Sequence, residues 1–248
     1  MKTVVFADLD GTLLTEVYSL TETKKEVAKL LSNQISIVLC SSKTKPEVEY
    51  YRKEMKIIDP FITENGAAIF IPPKYFEQDY SFTEKTEKYR IIELGIPYQK
   101  LRQKLEEIKS QTGSEIVGFG DMTPKEVAKD TGLSLELSEM AKMRGYDEPF
   151  RIVSGDEKKI FSEINRQGLQ VVKGGKYYHL SGKHDKGQAV ALLASLYQKE
   201  FENIRTIAVG NGQNDLPMLN VVDNPFFIGE NENMNSVWRR IVEIALNT

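Results

Sequence analysis

Thr3-Val4-Val5-Phe6-Ala7-Asp8-Leu9-Asp10-Gly11-Thr12-Leu13-Leu14, near the start of the 248-residue chain, is the stretch from which the rest can be read. Val4 to Ala7 is an unbroken apolar run rich in β-branched and aromatic residues, the pattern of a strand buried on both faces. Asp8 falls at its carboxyl end, the edge of a parallel α/β sheet where ligands bind. Asp8 and Asp10 together put two like charges in one small space, and each raises the other's pKa unless a cation or a strong set of donors neutralises them. A hard divalent ion with oxygen ligands, magnesium above all, resolves that conflict. Gly11 lets the backbone turn, and Thr12 adds a hydroxyl.

Composition narrows the field. Hydrophobic residues make up 40% and charged residues 28% of the chain, with a formal net charge of -3. This is the balance of a soluble globular protein without the basic footprint of a nucleic-acid binder. No apolar run approaches the roughly 18 residues of a membrane span, and no signal-peptide pattern opens the chain, so a cytoplasmic protein is expected. The single cysteine, Cys40, excludes an intrachain disulfide and lies in an apolar strand as a core thiol. Two histidines, His179 and His184, are too few for a His-rich metal cluster.

Outward from the opening stretch, Ser19-x-x-Glu22 and Thr23-x-x-Glu26 are capping-box patterns and predict a helix from about Thr21 to Leu31. Ile35 to Cys40 reads as a second buried strand, completing a βαβ unit. Ser41-Ser42-Lys43-Thr44 follows at its end. Thr44-x-x-Glu47 with Pro46 predicts another helix start, so hydroxyls and a helix N-terminus suited to phosphate oxygens meet there. Asn65-Gly66 between two apolar runs predicts a hairpin at the edge of the core, closed by Pro72-Pro73. From about residue 81 to 180 charged helices alternate with short strands, including Tyr89–Leu94, Ile116–Phe119, Phe150–Ser154 and a hairpin around Gly174-Gly175. The expected organisation is a Rossmann-like, doubly wound parallel sheet built from residues 1–80 and 181–248, with an inserted α+β domain at 81–180. In the returning segment a helix over Lys183–Glu200 carries Lys186 near its start, where the helix dipole disfavours a cation unless it faces an anion. The strand Ile204–Val209 then leads into Gly210-Asn211-Gly212-Gln213-Asn214-Asp215-Leu216-Pro217-Met218-Leu219, which offers amide and carboxylate oxygens to a cation.

Asp8-x-Asp10-Gly11-Thr12-Leu13, Ser41, Lys186-Gly187 and the Gly210–Leu219 segment resemble, in order, the four motifs of the haloacid dehalogenase (HAD) superfamily. The hairpin Glu64-Asn65-Gly66-Ala67 is similar to members with a large α/β cap. The resemblance implies a magnesium-dependent phosphatase in which Asp8 is the nucleophile and Asp10 the general acid and base. Ser41 and Lys186, with Ser42 and Lys43, would bind the phosphoryl group, and Asp8, Asp10, Asp215 and Asn211 would surround the metal. Asn211 departs from the pattern, because the family places an aspartate there.

Cap segments, above all Arg144-Gly145-Tyr146-Asp147-Glu148-Pro149-Phe150, resemble members acting on a phosphorylated glycoside of a sugar acid, a mannosylated 3-phosphoglycerate. Arg144, Arg151 or Lys173 would meet the substrate carboxylate, and Glu148 or His179 its sugar hydroxyls. Cap closure over a small-molecule substrate is expected, with neither a nucleic acid nor a membrane as partner. The alternatives are a sucrose-phosphate-type or general sugar phosphatase, a phospho-accepting receiver domain and a phosphosugar sensor that does not turn over.

Overall fold

The computed structural model describes residues 1–15, 18–173 and 176–247. In chain order the elements are β1 (Lys2–Ala7), α1 (Lys24–Ser32), β2 (Ser36–Cys40), α2 (Lys45–Met55), β3 (Phe61–Thr63), β4 (Ala68–Ile71), β5 (Glu84–Lys85) and β6 (Arg90–Glu93). Then come α3 (Tyr98–Thr112), β7 (Glu115–Gly118), α4 (Pro124–Thr131), α5 (Leu135–Ala141), β8 (Asp147–Ser154), α6 (Glu157–Arg166), β9 (Gln170–Lys173) and β10 (Tyr178–Ser181). The chain finishes with α7 (Lys186–Glu200), β11 (Ile204–Gly210), α8 (Leu216–Leu219), β12 (Asn224–Phe227) and α9 (Met234–Leu246).

An eight-stranded sheet runs in the order β12-β11-β1-β2-β3-β4-β6-β5. Its strands from β12 to β3 are parallel, and β1 lies between β11 and β2. Alternation along β1 sends Val5 and Ala7 to one face, against Val27 of α1, Val48 of α2 and Trp238 of α9. Val4 and Phe6 go to the other, against Ala189, Val190 and Leu193 of α7. Residues 4 to 7 are wholly buried. The doubly wound architecture thus follows from the apolar run that opens the chain, each fully buried Val or Phe contributing about 1.5–3 kcal/mol.

The second sheet is four-stranded, β7-β8-β10-β9, and antiparallel. One face packs on α3 and α6 through Leu101, Leu105, Ile108, Ile160 and Ile164, which meet Ile116, Phe150 and Leu180 of the sheet. α4 and α5 form a smaller cluster around Val127, Phe119 and Tyr177.

Several expectations need correcting. β6, expected in the inserted domain, pairs with β4, and β5 pairs with β6 in turn, which extends the first sheet to Glu93, so the Asn65-Gly66 hairpin is not its edge. Burial of Ile91 and Ile92 on the two faces of that sheet drives the pairing. The β3–β4 connection is a 3-10 turn over Glu64–Gly66, because Glu64 leaves the strand to bind the amides of Gly145 and Tyr146. α1 starts at Lys24, and Thr23 makes no side-chain cap. Its hydroxyl donates instead to the Leu13 carbonyl at 2.8 Å, which secures the loop after β1. α7 starts at Lys186, capped by Asp185, whose side chain accepts from the Gln188 amide at 2.8 Å. Thr44 forms the expected capping box with Glu47. The Gly174-Gly175 turn lies outside the described residues, although β9 and β10 do pair antiparallel. α5, β12 and α9 lie outside the sequence expectations, although Ser134 and Asn233 cap α5 and α9. Among the described residues no helix is long and apolar enough to cross a membrane.

Candidate active site

Three segments remote in sequence converge at the carboxyl end of β1. Asp8 directly follows the strand, and its amide donates to the Val209 carbonyl of β11 at 3.0 Å. Lys186, the first residue of α7, is fully buried, and its Nζ lies 2.6 Å from Asp8 Oδ1 and 2.6 Å from Asp215 Oδ1. A buried cation is tolerated there because two carboxylates receive it. Burial alone lowers the Lys186 ammonium, but Asp215 and Asp8 hold it above its ordinary range. The Asp8 carboxyl is pushed up to about 7 by burial and by the charge of Asp215, against the pull of Lys186.

Gly66 permits the approach of α7. Its φ is +95°, and a Cβ there would lie 2.1 Å from the Asp185 carbonyl oxygen. The indole Nε1 of Trp238 in α9 donates to the Thr12 carbonyl at 2.8 Å and so supports the opening loop from beneath.

Asp10 pairs with Lys43 at 3.0 Å, and Lys43 also approaches Glu47 at 3.7 Å and the Tyr18 ring at 4.9 Å. Ser41 is fully buried, its Oγ accepting from the Lys43 amide at 3.2 Å. Ser42 lines the cavity beside Asp8. In the last motif, Asp215 Oδ2 accepts from the amides of Asn211 and Gly212 at 2.9 and 2.8 Å. Both of its oxygens are thus engaged, one by the loop and one by Lys186. The Asn211 side chain accepts from the Thr12 hydroxyl at 3.2 Å, and Asn214 Nδ2 donates to Asn65 Oδ1 at 3.0 Å.

A cavity of about 560 Å³ opens above these groups. Its floor includes Asp8, Asp10, Asn65, Asn211 and Asn214, and its upper wall Asp130, Val172, Lys176, Tyr177 and His179 from the second sheet and its helices. Among the described residues no group of three or more His, Cys, Asp or Glu forms a ready-made metal cage. Asp8, Asp10 and the Asn211 amide do present carboxylate and carbonyl oxygens to one space. Such a set, leaving room for water, fits a magnesium-like ion, which favours one or two carboxylates over an all-protein cage.

The five cap residues singled out in the sequence part company. His179 lines the cavity, its Nδ1 2.8 Å from Asp147 Oδ2. Arg144 is engaged internally, with Nη2 2.9 Å from Asp147 Oδ1 and 3.0 Å from the Ser42 carbonyl, and Nε 3.6 Å from Glu64. This joins the two sheets at the foot of the cavity. Glu148 is wholly buried, accepting from Arg102 at 2.7 Å and from the Gly120 amide at 3.0 Å. Arg151 reaches Asp130 at 3.3 Å, and Lys173 lies in an outer groove with Phe161 and Tyr178.

Strand parity explains the division. His179 and Val172 are register partners on the open face of the second sheet, whereas Tyr178 and Lys173 pair on the face turned to α6. Asp130, Lys176 and Tyr177 escaped the sequence reading because helix-end and turn residues carry no periodic signal. Asn65 and Asn214 were visible only as a turn former and as the neighbour of an acid. Cys40 is a buried thiol that burial pushes up, as expected of a core residue.

The sequence model of haloacid dehalogenase-like hydrolases matches residues 5–234. A relative from Methanococcoides burtonii, named glucosyl-3-phosphoglycerate/mannosyl-3-phosphoglycerate phosphatase, is 41% identical over 92% of this chain and 85% of its own. The mannosyl-3-phosphoglycerate phosphatase of Pyrococcus furiosus is 38% identical over 94% of this chain and 93% of its own. A crystal structure of a haloacid dehalogenase-like hydrolase from Bacteroides thetaiotaomicron superposes with a TM-score of 0.66 at 16% identity, over 97% of this chain and 100% of that one, and so shares the fold. With its four motifs gathered at one sheet edge and the family match spanning nearly its whole length, the chain belongs to the haloacid dehalogenase-like hydrolases.

Proposed function

We propose that the protein is a magnesium-dependent phosphomonoesterase that removes phosphate from a glycosyl-3-phosphoglycerate, mannosyl-3-phosphoglycerate first among them. The observation that carries the reading is the Asp8–Lys186–Asp215 arrangement. A carboxylate at a strand end is held by a buried ammonium at 2.6 Å and lines the cavity between the two sheets. The relatives' names supply the substrate class.

Phosphoryl transfer asks a protein mainly for positioning and for neutralisation of oxygen charge. An Asp8 oxygen attacks phosphorus in line with the leaving ester oxygen, forming an aspartyl phosphate as the ester P–O bond breaks. Asp10 gives its proton to the departing alkoxide. It then takes a proton from the water that attacks phosphorus, which releases phosphate and restores Asp8. Lys186 and the Ser41-Ser42 turn hold the phosphoryl oxygens, and Lys43 fixes Asp10. Asp8, Asp10 and Asn211 would hold magnesium, which supplies positive charge against the phosphoryl oxygens, while Asp215 keeps the loop and Lys186 in place.

The test is magnesium-dependent phosphate release from mannosyl- and glucosyl-3-phosphoglycerate, measured against sucrose phosphate and mannose phosphate. A kcat/KM at least about tenfold higher for the glycosyl phosphoglycerates is expected. Equal rates across the panel would return the assignment to a general sugar phosphatase.

A further inference from the structure

The proposed substrate carries a carboxylate at the opposite end of its three-carbon glycerate from the phosphate, and a buried or half-buried anion needs a cation or strong donors. Three cations expected to meet it do not line the cavity: Arg144 is paired with Asp147 and Glu64, Arg151 reaches Asp130 from outside the lining, and Lys173 lies in the outer groove. On the upper wall of the cavity the lysine is Lys176. Its Nζ donates to Asp130 Oδ1 at 2.7 Å and to the Asp130 carbonyl at 2.6 Å, near the carboxyl end of α4, where the helix dipole favours a cation. An ammonium has three donors, and among the described residues two are engaged, both by Asp130, which leaves one for a ligand. Its side chain is 56% exposed, against 0% for Lys186, so it meets a ligand without breaking a buried ion pair.

Asp130 is itself fixed. The Tyr177 hydroxyl donates to it, Arg151 lies at 3.3 Å, and the Tyr177 ring packs edge-on against Phe119 at 4.9 Å. Hydrogen bonds from Lys176 and Tyr177 hold its carboxyl below the usual carboxylate range, so it stays ionised as an anchor.

We propose that Lys176 is the residue of the cap that recognises the substrate's carboxylate, and that Asp130 positions it. The proposal rests on the function proposed above, and its test separates the two. The readout is the ratio of kcat/KM for a carboxylated phosphomonoester to that for an uncarboxylated one, mannosyl-3-phosphoglycerate over mannose phosphate and 3-phosphoglycerate over glycerol phosphate. Lys176→Met lowers both ratios about 10- to 100-fold, the worth of one charge-assisted hydrogen bond. Asp130→Asn lowers them less and chiefly through KM, while Lys158→Met, a charge removed from the outer groove, leaves them alone.

A carboxylate preference retained in Lys176→Met, or lost equally in Lys158→Met, overturns the proposal. A wild-type enzyme that ignores glycosyl phosphoglycerates but loses its preference for 3-phosphoglycerate on Lys176→Met overturns the substrate assignment and supports the role of Lys176. Binding gives a readout without turnover: unphosphorylated mannosylglycerate raises the melting temperature of the wild type and not of Lys176→Met. Equal shifts in both proteins overturn the proposal.

Discussion

Two lysines stand on opposite sides of one cavity, Lys186 buried beneath the Asp8 floor and Lys176 on the wall, and they are built differently. Lys186 is sealed between Asp8 and Asp215 at the junction of β1, α7 and the loop after β11, with no exposed surface. Lys176 stands on the cap wall, more than half exposed and tied, among the described residues, to Asp130. The first arrangement is rigid, because packing of the whole sheet fixes each partner, and preorganised charge of this kind acts on a transition state without rearranging. The second adapts, as a group that must accept and release a substrate does. On the proposed function, reaction chemistry sits in the first region and selection in the second.

The same contrast governs what the sequence discloses. The Asp8 region is legible because its residues sit at ends of strands and helices, and buried apolar runs mark those ends clearly. Even there, the sequence marks Asp215 for the metal, and the fold adds that its oxygens receive Lys186 and two backbone amides. The cap wall is far less legible. Glu148 and Asp147 are adjacent, yet alternation along β8 turns Glu148 into the helix-covered interior and leaves Asp147 with His179. Lys176 acquires meaning only when the fold sets it against Asp130 near the end of α4. The single tryptophan gave no hint in sequence that it supports the Thr12 loop from α9.

Changes at the rigid site should have the largest effects. Asp8→Asn removes the proposed nucleophile and is expected to lower turnover by about 10⁴-fold or more in a phosphate-release assay. Lys186→Met should lower kcat by roughly 10²- to 10³-fold, the scale for loss of one preorganised electrostatic group. It should also move the rise of residual activity to higher pH, because Lys186 is what pulls the Asp8 carboxyl down. A pH–rate profile that stays in place would detach Lys186 from Asp8.

The joint between the two regions offers an intermediate test. Burial pushes the Glu64 carboxyl up to about 7 from an ordinary 4.5, against Arg144 and the amides of Tyr146 and Gly145. Between those values the folded protein keeps a proton that the unfolded chain has lost. The contribution of Glu64 therefore favours the fold at the acid end of the window and is lost as pH rises through 7. Glu64→Gln should flatten the fall of melting temperature with pH over that range, and an unchanged slope would show that Glu64 is ionised throughout.

The smallest effect is expected at Thr44, which caps α2 and lies 2.9 Å from the Met140 carbonyl at the end of α5. Thr44→Ala should cost about 1 kcal/mol in chemical denaturation. Its kcat should stay within a few-fold of the wild type, since neither lysine moves.

The central claim is that Asp8 itself carries the phosphoryl group. Rapid acid quench during turnover of mannosyl-3-phosphoglycerate, followed by peptide mapping, tests it directly. A phosphoryl group on the peptide containing Asp8, absent from Asp8→Asn, is the expected result. Phosphate release continuing in Asp8→Asn with no labelled enzyme in either protein would contradict it.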